Sequence, residues 1–291
     1  MKEISIFCFG FGQVAKNFIS KIRSKKIKIN LSITSREDSQ IKKFEEIRYE
    51  SFKFNESFFD KKLIEKLKKS DYILVSIAPI NGTDIVIKNF KSIIEENQFR
   101  WITYLSATSV YGDHKGEWVD EKSNTEPTSE NGVERLKAEK SWMDLASKKN
   151  LPLQIFRLSG IYSNKRNILA RLKSGEAKII NKKNQFFSRI HVDDISNILF
   201  KSLENFKPKE IYNISDDKPA SSSEVTLYGA KLLKMDKPKT IDLSLIKNEM
   251  LKNFYKDSKK VSNKKMKKVF NYDLKFPTYI EGLNYIRDNF I

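Results

Sequence analysis

The 291-residue sequence predicts an α/β protein built on a doubly wound parallel sheet, with a smaller C-terminal region on the substrate side. Three observations carry that prediction. Short apolar runs alternate with amphipathic helical stretches up to about residue 200, the pattern of βαβ units. The runs are continuously apolar, as strands buried on both faces are. A glycine-rich turn follows the first run and opens the first helix.

The apolar runs are Ile4–Phe9, Ile29–Thr34, Tyr72–Ala78, Trp101–Ser106 and Leu153–Leu158. Between them the helical pattern covers Val14–Arg23, Lys61–Lys68, Thr83–Glu95 and Glu130–Lys148. The last follows Pro127-Thr128-Ser129, where a hydroxyl can cap the orphan N–H groups of a helix start. After Tyr162 the texture changes. A short helix over Ile168–Lys173 is followed by a basic polar stretch, and Ser188–Asp194 leads into a helix over Ile195–Leu203. A strand over Glu210–Ile214 precedes a helix-rich, basic remainder.

Composition narrows the class. A hydrophobic share of 39% can fill a sizeable core, which argues against disorder. No apolar run reaches the roughly 18 residues of a membrane span. The first residues lack a cleavage site after an apolar segment, so no signal peptide is expected. One cysteine, Cys8, and two histidines, His114 and His191, make no disulfide framework and argue against a metal centre. A reducing, cytoplasmic compartment is the expectation. The net charge of +18 comes from lysines scattered along the chain, densest over Lys252–Lys268. Without interleaved arginines or a recognised module these read as a solvated face rather than a nucleic-acid surface.

Phe9-Gly10-Phe11-Gly12-Gln13-Val14-Ala15 is the segment that carries chemistry. The first glycine permits a tight turn, and the second lets backbone approach a pyrophosphate. A small third residue, Ala15, allows close helix–strand packing, while the helix start turns N–H groups and positive dipole towards the anion. Gly10, Gly12, Gln13, Val14 and Ala15 are therefore read as the phosphate-binding turn of a Rossmann-type fold. The second strand chooses between cofactors: an acid at its end would bind the 2′-hydroxyl of NAD(H). Thr34-Ser35-Arg36 stands there instead, and the hydroxyls with the Arg36 guanidinium suit a 2′-phosphate. NADP(H) is favoured over NAD(H), with Arg36 as an exposed loop cation the alternative. Ala78 and Pro79 leave room along the cofactor, and Ser106 joins this set. The expected division is an NAD(P)-binding domain over 1–165 and a substrate-side region over 166–291, partly interleaved with the sheet.

These residues, with Val110-Tyr111-Gly112, Arg157-x-x-Gly160-Ile161-Tyr162 and Ile190-His191-Val192-Asp193-Asp194-Ile195, resemble the extended short-chain dehydrogenase/reductases, the NAD-dependent epimerase/dehydratase family. The likeness runs over nearly the whole chain, including Tyr212-Asn213-Ile214-Ser215 and Pro277-x-x-x-Glu281-Gly282. It implies a Ser or Thr at the end of the fifth strand and a Tyr-x-x-x-Lys on the next helix. In that set the Tyr moves the proton, and the Lys lowers the tyrosine pKa and holds the nicotinamide ribose. Register places Ala107 at the Ser/Thr position, flanked by Ser106 and Thr108, with Asn131 at the Tyr and Arg135 at the Lys. An asparagine cannot act as acid or base, and an arginine grips ribose hydroxyls but relays no proton. The chain thus resembles an atypical member.

Tyr111, with Thr108 and Arg135, is the candidate replacement catalytic set; Asp113 and His114 lie beside Tyr111. A purely structural turn is the alternative for Tyr111. Arg166 and Arg189 are candidates for gripping an anionic substrate, with solvated surface charge as the alternative. Arg157, in a buried strand, reads as an internal ion-pair partner, and His191, Asp193 and Asp194 read as a structural helix start, with a catalytic role the alternative. The expected activity is an epimerase-like oxidoreductase on a small polar or nucleotide-linked substrate, with a non-standard acid/base. The rival reading is a non-catalytic dinucleotide-binding sensor or scaffold. Helix Glu130–Lys148 could also join a homodimer.

Overall fold

The first apolar run buries every side chain from Ile6 to Phe9, so it cannot lie at a surface, and the chain builds its sheet around it. In the computed structural model, which describes residues 3–180, 182, 184–246, 252 and 255–291, that run is strand β1 (Glu3–Phe9). The chain divides into two units. Met1–Ser106, Val133–Arg157 and Ile195–Tyr212 make the first; Ala107–Gly132, Leu158–Asp194 and Asn213–Ile291 make the second.

The first unit carries an eight-stranded sheet. After β1 come β2 (Lys28–Ser35), β3 (Gln40–Phe44), β4 (Ile47–Lys53), β5 (Tyr72–Val75) and β6 (Trp101–Ala107). With β8 (Leu153–Leu158) and β12 (Glu210–Ile214) the spatial order is β12-β8-β6-β5-β1-β2-β4-β3. β1 pairs in parallel with β2 on one side and β5 on the other, so the strand order reverses between β1 and β5. That is where an open α/β sheet binds ligands beyond its strand ends.

Helices cover both faces. Phe7, Phe9, Ile73, Val75 and Tyr104 form one cluster with Leu63 and Leu67 of α2 (Leu63–Lys68), Phe90 of α3 (Ile85–Glu96) and Trp142 of α4 (Glu130–Lys149). Each such aromatic contributes roughly 1.5–3 kcal/mol by burial. On the other face Phe18 of α1 (Gln13–Ser24) stacks 5.8 Å from Trp101, whose Nε1 donates to Ser202 of α6 (Val192–Ser202) at 3.1 Å. Cys8 is fully buried here, and burial pushes its thiol pKa far above the usual range.

Three details differ from the sequence expectation. The run read as a strand to Ala78 ends at Val75, because the Ser76 hydroxyl donates to the carbonyls of Phe9 and Gly10 and bends the chain. The helix expected from Ile195 begins at Val192. Residues 40–53, read as no element, form a hairpin whose β3 is the antiparallel edge of an otherwise parallel run.

The second unit pairs short strands: β7 (Trp118–Val119) with β14 (Lys260–Val261), β9 (Gly160–Tyr162) with β11 (Arg189–His191), and β10 (Ile179–Ile180) with β13 (Thr240–Ile241). Its core joins Leu169 and Leu172 of α5 (Ile168–Lys173), Val225 of α7 (Ser222–Leu232), and Leu283 and Ile286 of the last helix, Tyr279–Phe290. Asp194 fastens the chain entering that helix. It accepts from the Tyr272 hydroxyl at 2.6 Å and from the amides of Lys275 and Phe276 at 2.7 and 3.1 Å. Among the described residues no helix is long and apolar enough to cross a membrane.

Candidate functional site

Each unit holds a large cavity. In the first unit a space of about 900 Å³ lies over the strand-order reversal, lined by Gly10, Gly12, Thr34, Arg36, Ser76 and Pro79 among others. Its floor is the turn from β1 into α1. Gly10 has φ +85, and a Cβ there would come within 2.7 Å of Ile77 Cγ2 and 2.9 Å of Ser76 Oγ, so glycine is required by both backbone and space. Gly12 differs. It stands at the N-cap of α1 with no side chain capping the helix and no acid in the first turn, and a Cβ there would meet nothing within 4 Å. The cavity side of Gly12 is therefore open, so that backbone at the helix start can be approached closely, which is what a pyrophosphate needs. A nicotinamide dinucleotide fits this set of residues.

The turn is tied to the second strand, since the Gly10 amide donates to Thr34 Oγ1 at 3.0 Å. Ser35 Oγ lies 3.1 Å from Ser51 Oγ, which joins β2 to β4 behind the loop. Arg36 is exposed, lines the cavity, and has no partner among the described residues. Ser35, Ala78 and Pro79 also line it; Gln13, Val14, Ala15 and Ser106 do not. Val14 and Ala15 are buried in the helix–sheet packing, as the small third position of the turn requires, and Ser106 is buried at the end of β6.

The second unit's cavity, about 650 Å³, joins cations to an apolar wall. Arg166, Arg171, Lys178 and Arg189 line it beside Ile168, Val225 and Ile246, with Glu176 the one carboxylate among the described residues. Both arginines singled out from sequence thus meet in one cavity, together with two cations the sequence reading passed over. Arg189 is the anchored one: Nη1 donates to the carbonyls of Phe187 and Ala220 at 3.0 and 2.9 Å. Burial draws its pKa below the ordinary arginine value, the mark of a charge short of solvation. Close by, Asp216 is buried, and burial raises its pKa well above the usual carboxylate range against the opposing charge of Arg189.

Tyr111 is fully buried in the second unit, and its hydroxyl donates to Asn213 Oδ1 at 2.8 Å. Nε2 of His114 lies 3.1 Å from the Tyr111 carbonyl and 3.2 Å from that of Asn124. Both are acceptors, so Nε2 carries the proton and serves the turn. Thr108 opens the short 3-10 turn that delivers Tyr111. In the first unit Arg135, on α4, donates to the Leu105 carbonyl at 3.1 Å. Arg157 is the internal ion-pair partner the sequence suggested, with Nη2 at 2.7 Å and Nε at 3.1 Å from the Glu139 carboxylate.

The family model described as "NAD dependent epimerase/dehydratase family" matches residues 86–215. A functionally unknown conserved protein from Silicibacter pomeroyi is 31% identical, covers 99% of both chains and superposes with a TM-score of 0.86. The chain belongs to the NAD-dependent epimerase/dehydratase family. Other solved members share its fold at lower identity. UDP-glucuronic acid 4-epimerase from Bacillus cereus in complex with NAD is 15% identical, covers 98% of this chain and 99% of its own, and has a TM-score of 0.75. dTDP-glucose 4,6-dehydratase from Bacillus anthracis in complex with NAD is 16% identical, covers 99% and 97%, and has a TM-score of 0.76. No curated protein matches.

In this family member the sequence reading missed Lys16, Lys42, Arg171 and Lys178, all cavity-lining. Only Lys16, directly after Ala15, carried a signal: a cation on the first turn of the helix the glycines open.

Proposed function

We propose that this family member binds a nicotinamide dinucleotide in its first-unit cavity, NADP(H) in preference to NAD(H), and acts on a small anionic substrate held in its second-unit cavity. The observation that carries the cofactor is Gly12: a helix start without side-chain cap or acid, lining a cavity of about 900 Å³. Thr34, Ser35 and Arg36 support the 2′-phosphate preference, as hydroxyl and guanidinium groups suited to it. The bound nicotinamide would supply hydride transfer.

Arg166, Arg171, Lys178 and Arg189 support an anionic substrate, and the apolar wall beside them suits a nucleobase or similar flat group. The two Bacillus enzymes named above are a UDP-glucuronic acid 4-epimerase and a dTDP-glucose 4,6-dehydratase, and a nucleotide-linked sugar is the substrate class that this cavity suits best. Register leaves Asn131 and Arg135 where the family's Tyr and Lys stand, so the proton step falls to another group, for which Tyr111 and Thr108 are the sequence-based candidates. Calorimetry with NADPH, NADH and a panel of nucleotide sugars, followed by turnover assays, tests the reading. Heat with NADPH and none with any sugar nucleotide would cut the substrate half away.

A second reading rests on Tyr111. Its hydroxyl is buried and engaged by Asn213, as befits a strut, and an unassisted Asn131–Arg135 pair moves no proton. On that reading the chain is a dinucleotide-responsive sensor or scaffold, and tight binding without turnover would favour it. A homodimer through α4, where Val133 is exposed, belongs to either reading and is checked by sedimentation.

A further inference from the structure

The unforeseen β3–β4 hairpin brings Lys42 to the rim of the dinucleotide cavity, opposite Tyr49 in the strand register. Glu37 lines the same cavity, just past the end of β2 at Ser35. A carboxylate in that neighbourhood is ordinarily the group that binds a ribose 2′-hydroxyl and repels a 2′-phosphate. Here it is already engaged, for the Lys42 ammonium donates to Glu37 Oε2. The next acid, Asp38, is held 2.7 Å from the Lys53 ammonium, and the Lys53 amide donates to Ser39 Oγ at 3.0 Å. Both acids of the loop are thus paired with lysines of the hairpin, and its one arginine is left unpaired among the described residues. Lys16 adds a further cation at the rim, its ammonium 5.8 Å from the Phe11 ring centroid and 6.0 Å from that of Phe44, another hairpin residue.

We propose that Lys42 sets cofactor specificity: by pairing with Glu37 it cancels the carboxylate that would select NAD(H) and leaves Arg36 to hold the 2′-phosphate of NADP(H). The proposal rests on the dinucleotide reading of this cavity. Lys42 is a positioning residue, acting on the phosphate through Glu37. Its removal therefore changes the ratio of the two affinities rather than both together. The sequence rule that reads specificity at the end of β2 is completed by a strand that the rule does not inspect.

Calorimetric titration of NADP+ and NAD+ into wild type, K42M, E37Q and the K42M/E37Q double variant tests this without any turnover. For K42M the NADP+ Kd is expected to rise about tenfold, as one uncompensated charge near a phosphate would cause, with NAD+ binding unchanged or tighter. The double variant is expected to return NADP+ affinity to within about threefold of wild type, because the repelling carboxylate has gone as well. If wild type binds NADP+ and K42M leaves the ratio unchanged, or the double variant stays as weak as K42M, the proposal is overturned while the cavity reading stands. A wild type that prefers NAD+ has the same effect. A wild type that binds neither dinucleotide overturns both. Should K42M fail to fold in a thermal melt, E37Q decides: NADP+ must bind at least as tightly as to wild type, and weaker binding refutes the role.

Discussion

The amide of Gly10 donates to Oγ1 of Thr34 at 3.0 Å, joining the turn after the first strand to the end of the second. One hydrogen bond thus fixes the floor of the cavity relative to the loop that carries Arg36. Thr34→Val removes the acceptor and leaves a part-buried amide unpaired. The expected cost is about 0.5–1.5 kcal/mol in denaturant unfolding, with weaker dinucleotide binding. Binding unchanged at equal stability loss would show that the turn holds its shape alone.

The two glycines of that turn should fail differently. Gly10→Ala forces a Cβ against Ile77 and Ser76 at positive φ, and about 1–3 kcal/mol of stability should go with it. Gly12→Ala meets no neighbour. Its melting temperature should stay close to wild type while the new methyl obstructs the ligand and weakens dinucleotide binding about tenfold or more. Equal effects of both substitutions on stability would contradict this division.

Arg157 and Glu139 form a buried pair, each almost without exposure. Removing one partner strands a charge in the core, so Arg157→Met should cost about 3–5 kcal/mol. Adding Glu139→Leu should recover much of it. A double variant no more stable than Arg157→Met would mean that the pair is held by more than its own charges.

Tyr111→Phe deletes the hydroxyl that Asn213 accepts from. If Tyr111 is a strut, stability falls by about 1 kcal/mol and any turnover persists per folded molecule. If it moves the proton, turnover collapses at unchanged stability.

His191 is packed edge-on against Tyr162 and Phe276, with Nε2 buried and unpartnered. Burial lowers its pKa from 6.5 to about 4. The unfolded chain therefore binds more protons than the folded one between those values, and folding stability should rise with pH across that window. The contribution is about 3–4 kcal/mol, fully present above pH 6.5 and lost as pH falls towards 4. His191→Gln, which cannot titrate, should flatten the slope of unfolding free energy between pH 4.5 and 6.5. An identical slope in both proteins would mean that His191 is solvated in the fold.

Local signals carried much of this molecule. The first strand, its glycines and the helix they open were readable because each step is dictated by neighbours in sequence, and α5 and β12 fall at the residues where periodicity put them. The hairpin over 40–53 escaped because its turn is Glu45-Glu46, with Glu45 at φ 53 where an Asn or Gly would have announced it. Its charged edge strand also lacks the apolar run that marks the rest of the sheet. The site was harder still. Arg166 and Arg189 could be named as cations, but their meeting with Arg171 and Lys178 depends on how β9 and β11 pair. The Tyr111–Asn213 contact spans 102 positions, and no local pattern foretells it.

Cys8, the lone thiol of the chain, sits sealed in the central strand. Alkylating reagents can reach it only when the layer packed over that face of the sheet lifts or the sheet itself opens, so the rate of thiol labelling in native buffer is a direct clock for opening of the core around β1. Because β1 also ends in the phosphate turn, a ligand that grips that turn should slow the clock, and the slowing gives its affinity without a dye, a tag or a turnover assay.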